Sequence, residues 1–247
     1  MPDDTLIGGS QDRFPLTRWS AILATRSADA AERRRSFEVL IAAYWKPVYK
    51  YLRLKWNKSN EDAKDLTQGF FAQALEKNYF QNYDPAKARF RTFLRTCLEG
   101  YVANAEKAAQ RQKRGGGKQF VALDFENAEG ELQHVEIADH ENIEAYFEKE
   151  WLRSLFSLAL ENLRTECEAR NRRVHFQIFE RYDLDESEAQ RSTYDQLAAE
   201  FGLSASNVTN YLALMRREFR RLLLEKLREL TATEEEFQQE AQAVLGV

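Results

Sequence analysis

Ser206, Asn207, Thr209 and Asn210 precede Arg216, Arg217, Arg220 and Arg221 along one amphipathic pattern. That order of residue types has a definite use. Amides and hydroxyls can pair with base edges in a DNA groove, whereas guanidinium groups farther along meet phosphates. In a helix-turn-helix the first turns of the second helix take the former task and later basic residues the latter. The alternative is an ordinary helical hairpin with a solvated arginine face.

The neighbouring residues supply the elements that such a unit requires. Ser192 to Asp195 has the spacing of a capping box, and Tyr194, Leu197, Ala198 and Phe201 give the following short helix an apolar side. Gly202 ends it, because glycine turns left-handed there without strain. Ser204 offers an N-cap oxygen to a second helix, whose apolar side is Val208, Tyr211, Leu212, Met215, Phe219, Leu222 and Leu223. Beyond it, Thr233 to Glu236 caps a further short helix with Phe237, Ala241 and Val244 on its apolar side. The sequence assigns that tail no role.

Catalytic patterns are missing. The three histidines (His134, His140 and His175) are scattered, and no Cys or His pair has zinc spacing. Gly115-Gly116-Gly117-Lys118 lacks the first glycine, the hydroxyl residue and the strand of a phosphate-binding loop, and reads as a linker. A metal held by His134, Asp139, His140 and Glu141 would lack a packed scaffold. The chain is therefore expected to be no enzyme, with no cofactor and no metal.

Bulk properties point to a soluble cytoplasmic protein of two small domains in 247 residues. No apolar run approaches a membrane span, the N-terminus does not read as a signal peptide, and two cysteines among helical positions do not form a disulfide framework. The net charge of −4 would argue against nucleic acid, but the charges are segregated. Residues 86–118 hold nine Lys and Arg against two Glu, a net of +7, whereas residues 119–150 hold ten Asp and Glu against one Lys, a net of −9. The swing falls at the glycine triplet. The acidic stretch has weak periodicity and reads as a linker.

The N-terminal half is expected to be helical throughout. A short helix follows Thr17, with Trp19, Ile22 and Leu23. Phe37, Leu40, Ile41, Tyr44, Trp45, Val48 and Leu52 form the stripe of a longer one, interrupted and kinked at Pro47. A third begins at the capping box Ser59 to Asp62 and buries Ala63, Leu66, Phe70, Phe71 and Ala74. An aromatic loop, Asn78 to Tyr83, leads to Asp84 and Pro85, which cap and start a helix with the stripe Phe90, Phe93, Leu94, Cys97, Leu98, Tyr101, Val102 and Ala105. No segment alternates as a strand. The expected fold is all-α, with two helical domains joined by an acidic linker and a helix-turn-helix in the second.

At this point a family resemblance emerges. The helix carrying Asp65-Leu66-Thr67-Gln68-Gly69-Phe70-Phe71, the Phe90-Arg91-Thr92-Phe93-Leu94 helix with its basic end, and the C-terminal helix-turn-helix together resemble bacterial RNA polymerase sigma factors of the extracytoplasmic-function type. The long acidic connector resembles that of a long-linker subgroup. The resemblance implies an extension over 1–35, a region 2-like domain over 36–115, a linker over 116–148, a region 4-like domain over 149–230 and a tail over 231–247.

It also implies partners and roles. The chain would bind core RNA polymerase, through the β′ clamp helices and the β flap, and promoter DNA, with an anti-sigma factor or other regulator as a further partner class. Asp65 and Gln68 would contact the clamp helices, supported by Phe71, although the family often carries an acidic residue where this chain has Gly69. The loop at 78–89 resembles the one that captures an unstacked minus-ten base, which aromatic faces and nearby cations suit. Tyr79, Phe80, Tyr83, Lys87, Arg89, Arg91, Arg95, Lys107, Arg111, Lys113 and Arg114 form that minus-ten set. Hydrophobic cover for the domain is the competing reading of the three aromatic rings.

Ser206, Asn207, Thr209, Asn210, Arg216, Arg217 and Arg220 form the minus-thirty-five set. The family commonly has Lys and Arg early in this helix, where this chain has Thr209 and Tyr211, so phosphate contact would fall to the later arginines. A DNA-binding regulator acting without polymerase is the alternative function. The acidic residues 124–150 are further expected to compete with DNA for Arg91, Arg95, Lys107, Arg111, Lys113 and Arg114 in the free protein, or else to act only as a soluble tether.

Overall fold

The computed structural model describes residues 20–109, 123–132, 143–185 and 192–246, and these hold helices and turns without a strand. The expectations for Thr17 and Trp19, the glycine triplet, Arg111, Lys113, Arg114, His134, Glu136, Asp139, His140 and Glu141 lie outside these residues.

Helix α1 (Ala21–Ala24) is a single turn capped by Ser20, with Ile22 buried beneath it. Helix α2 (Ala30–Lys55) is capped by the Asp29 carboxylate, which accepts from the Ala31 amide at 2.8 Å. It runs through Pro47 without ending. Proline removes one backbone hydrogen bond and costs about 3 kcal/mol in a helix interior. Tyr44, Val48, Tyr51 and Leu52, on both sides of it, are all buried, and that packing keeps the helix in one piece.

Helix α3 (Asn60–Glu76) starts where Ser59 accepts from the Asp62 amide at 3.1 Å and donates to the Asp62 carboxylate at 2.7 Å. Its buried side includes Thr67, whose hydroxyl is satisfied by the Ala63 carbonyl at 2.7 Å, while Leu66 is only half-buried. A 3-10 turn (Tyr79–Asn82) follows left-handed Asn78. Asp84 and Pro85 do not start the next helix. Asp84 accepts from the Ala86 amide at 3.1 Å and holds a turn, so α4 (Phe90–Ala109) begins later.

The stretch expected to be a bare linker contains helix α5 (Phe125–Leu132), docked on α2. Its Phe125 ring meets Trp45 and Tyr49 at centroid distances of 5.3 Å and 5.1 Å. Glu129 accepts from Arg53 Nε at 2.9 Å and from the Tyr49 hydroxyl at 2.5 Å, and Glu131 from Lys46 at 2.5 Å and Lys50 at 2.6 Å. The Arg53 hydrogen bonds hold the Glu129 carboxyl below its ordinary range. Burial pushes Glu131 up, but the lysine hydrogen bonds outweigh it and the net shift is downward. An eight-residue helix is marginal alone in water, so these contacts are what keep it folded.

Helix α6 (Ile143–Ala169) begins before the expected linker ends and lies along α2. Trp151 stacks on Tyr44 at 6.4 Å and Phe147 meets the edge of Tyr51 at 5.4 Å. Between them Lys50 donates to Glu150 at 2.6 Å, with both side chains only 1% exposed. Helix α7 (Arg173–Phe179), a π turn (Glu180–Leu184), α8 (Tyr194–Phe201), α9 (Ala205–Glu229) and α10 (Glu234–Leu245) complete the described chain. The apolar core is continuous from Ala21 to Ala241, so the two halves pack as one body.

Candidate nucleic-acid and polymerase interfaces

On α3, Asp65 is exposed and Gln68 half-exposed, one turn apart. Phe71 is only 3% exposed and meets Phe70 edge-on at 5.2 Å, so its ring belongs to the core beneath them. Gly69 has its own reason. A Cβ there would stand 2.3 Å from the Tyr101 hydroxyl, so glycine is what admits this side chain from α4. Tyr101 therefore occupies the ground beside Asp65 and Gln68, a feature whose only sequence signal is a glycine inside a helical pattern.

The loop before α4 divides its aromatics. Phe80 is fully buried, stacked on Phe37 at 5.2 Å and edge-on to Phe90 at 5.2 Å. In this arrangement it is core, not a stacking platform. Tyr79 is half-buried, its hydroxyl accepting from Gln73 at 2.5 Å. Tyr83 lies against Phe90 and Phe93 and donates its hydroxyl to Glu236 at 2.6 Å. Burial, followed by that carboxylate, pushes the Tyr83 hydroxyl far above its ordinary pKa.

The cations of the same face are mostly engaged. Arg91 is 7% exposed, its guanidinium 4.4 Å from the Trp151 ring centre, and it donates to Glu148 and, at 2.5 Å, to Glu240. Arg89 lies 3.3 Å from Glu240, and Arg95 pairs with Glu144 at 2.8 Å. Lys87 is exposed, 3.5 Å from Asp84, and Lys107 is exposed.

Of the residues 124–150 expected to compete for these cations, Glu144 and Glu148 pair with Arg95 and Arg91. Glu129 and Glu131 engage α2, and Asp124 accepts from the Asn127 amide at 3.1 Å as a cap. The carboxylates that reach deepest, Glu236 and Glu240, come from α10, which the sequence left without a role.

The third face is built by α8 and α9. The capping box sits one residue later than expected: Thr193, not Ser192, accepts from the Gln196 amide at 3.3 Å, and Gln196 accepts from the Thr193 amide at 2.7 Å. Gly202 takes φ of 63°, and Ser204 accepts from the Asn207 amide at 3.2 Å to start α9. Leu197, Ala198, Val208, Leu212 and Met215 are buried between the helices.

Ser206, Asn207, Thr209 and Asn210 are exposed, the Thr209 hydroxyl donating back to the Ala205 carbonyl at 3.0 Å. Arg217 and Arg220 are exposed beyond them. Arg216 instead grips Asp183 with two hydrogen bonds of 2.9 Å and 2.8 Å. Arg221 is drawn into a network with Glu166, Glu218 and Glu225, so it is not part of the open face. Tyr211 stacks on His175 at 3.6 Å, and burial with the nearby Arg172 lowers the imidazole pKa.

The described surface thus carries an open polar pair on α3, a cation-rich aromatic loop before α4, and a short helix turning into a long one with amides ahead of arginines. The family model for ECF sigma factors matches residues 20–225, most of the chain, and the chain belongs to that family. Comparisons with curated proteins and with solved structures give no match. The protein is a sigma factor that binds RNA polymerase and directs promoter-specific initiation; action without polymerase is not favoured. Among the described residues no His, Cys, Asp or Glu group could hold a metal, and no helix is long and apolar enough to cross a membrane.

Proposed function

We propose that the three faces divide the work of initiation in the cytoplasm. Asp65 and Gln68 dock on the β′ clamp helices of core polymerase. Tyr79 and Tyr83, with Lys87, Arg89, Arg91, Arg95 and Lys107, and with Arg111, Lys113 and Arg114 outside the described residues, take up the minus-ten element. The helix-turn-helix of α8 and α9 reads the minus-thirty-five element and approaches the β flap. The first face and the second belong to a region 2-like domain and the third to a region 4-like domain, and the acidic stretch between them supports membership of a long-linker subgroup.

The observation that carries the reading is on α9. Asn207 and Asn210 stand exposed together, ahead of Arg217 and Arg220, on a helix whose other side is buried. Asn207→Ala or Asn210→Ala is expected to change preference at one upstream base pair by about 1 to 3 kcal/mol, whereas Arg217→Ala weakens all sequences alike. A binding series over single-base variants of a selected promoter checks it; a uniform loss in the Asn variants would remove base reading from them.

The polymerase contact has its own test. Because Asp65 and Gln68 point outward over a core of Phe70 and Phe71, changing both to Ala leaves the fold intact and lowers affinity for core polymerase by about tenfold. Unchanged affinity would take this face out of the interface.

A further inference from the structure

We infer that α10 is a built-in competitor for promoter DNA, closing the minus-ten face of the free protein until polymerase or DNA displaces it. The inference rests on the reading of that face given above.

Three features support a specific plug. First, both carboxylates are buried: Glu236 is 7% exposed and Glu240 2% exposed, on a helix whose outer positions Glu234, Glu235, Gln238 and Gln239 are exposed. Carboxylates in an ordinary amphipathic helix face water, and burial of an unpaired one is expensive, so their positions are set by what they meet.

Second, what they meet is the proposed DNA-binding set. Glu236 accepts from the Tyr83 hydroxyl at 2.6 Å and from the Phe90 amide at 3.3 Å, and Glu240 takes Arg91 at 2.5 Å and Arg89 at 3.3 Å. An amide and a phenol around one anionic oxygen, and two guanidinium groups around another, are the kinds of partner that backbone phosphates would take. Helix α10 presents those two oxygens from within the chain, and Glu148 of α6 adds a further carboxylate on Arg91.

Third, the closure is incomplete in a way that suits release. One Glu240 oxygen, Oε2, is buried without a hydrogen-bond partner among the described residues, and the other Glu236 oxygen accepts from the Ala232 amide at 2.7 Å. A buried unmatched carboxylate oxygen lowers the net stability of the closed state. The covering helix is held mainly by Phe237 and Ala241 and by Arg228, whose guanidinium lies 3.9 Å from the Phe237 ring centre. A short segment with few apolar anchors opens at low free energy relative to the global core.

The test uses the full chain carrying Glu236→Gln and Glu240→Gln, which keep shape and remove charge. The probe is a fluorescent pool of single-stranded 20-nucleotide DNA of random sequence at low salt. The variant is expected to bind about tenfold more tightly than the parent, as follows if the closed form outweighs the open one by about that ratio. Hydrogen exchange over residues 234–245 of the parent is expected to speed up when DNA binds. A chain ending at Ala232 should behave as the Gln variant does, and its thermal unfolding reports whether it has folded.

Equal affinity of parent and Gln variant, or unchanged exchange in α10 on DNA binding, would overturn the plug. The underlying reading is tested apart, on the polymerase complex, where Lys87→Ala with Arg89→Ala should slow promoter opening. Normal opening there would remove the face from DNA binding, whereas slowed opening together with equal affinities would remove only the plug.

Discussion

Lys50→Met is expected to lower the stability of the free protein by about 3 to 5 kcal/mol, the range found when one partner of a buried ion pair is deleted. The pair joins α2 to α6 with both side chains 1% exposed, so Glu150 would be left in the core with Arg153 as its remaining ion-pair partner among the described residues. Glu131, the other lysine partner, is 39% exposed and can turn to water instead. Converting both members, as Lys50→Met with Glu150→Leu, removes the unmatched charge and should restore most of the loss. Urea unfolding measures both. A single-variant loss below about 1 kcal/mol, the range of an exposed pair, would mean that water reaches the site.

The second large effect separates two neighbouring rings. Phe80→Ala should cost about 3 to 5 kcal/mol, because it empties the space between Phe37 and Phe90 that the ring fills completely. Tyr79→Ala touches a half-buried ring and one hydrogen bond to Gln73, so the fold should survive while promoter opening slows. Thermal unfolding and a promoter-opening assay on both variants check the contrast. If Phe80→Ala unfolds at the parent's temperature but opens promoters poorly, Phe80 is a base platform and the assignment to the core is wrong.

That contrast marks how far the sequence could be read. Apolar periodicity gave the long helices and their buried sides, and α9 with its exposed amides followed from the same signal. Cap chemistry was readable in type but not in register: Ser192 and Thr193 are adjacent hydroxyls, and only the reach of Gln196 decides between them. Asp84 looked like a cap and became a turn, since its carboxylate closes on Ala86 before the helix can start.

Helix α5 was hidden for a different reason. Only Phe125 and Ala128 are buried in it, too few positions to show a period, and its stability comes from Arg53, Lys46 and Lys50 on another helix. Ion pairs between distant segments leave no local pattern. The same holds at the minus-ten face. Tyr83, Arg89 and Arg91 could be named from residue type and the family resemblance, but nothing near them in the chain announces Glu236 and Glu240, which come from the far end and fold over them. The Gly69 and Tyr101 contact is also long-range, and a lone glycine in a helix was its only trace.

Promoter selection with purified components tests the central claim most directly. Bacterial core polymerase is given a pool of templates randomised over the upstream and downstream elements, with and without the protein, and the transcripts are sequenced. The protein should enrich templates sharing one pair of elements at fixed spacing, and Asp65→Ala with Gln68→Ala should abolish the enrichment. Transcripts no different from those of core polymerase alone, from a protein that nonetheless binds DNA by itself, would contradict initiation through polymerase.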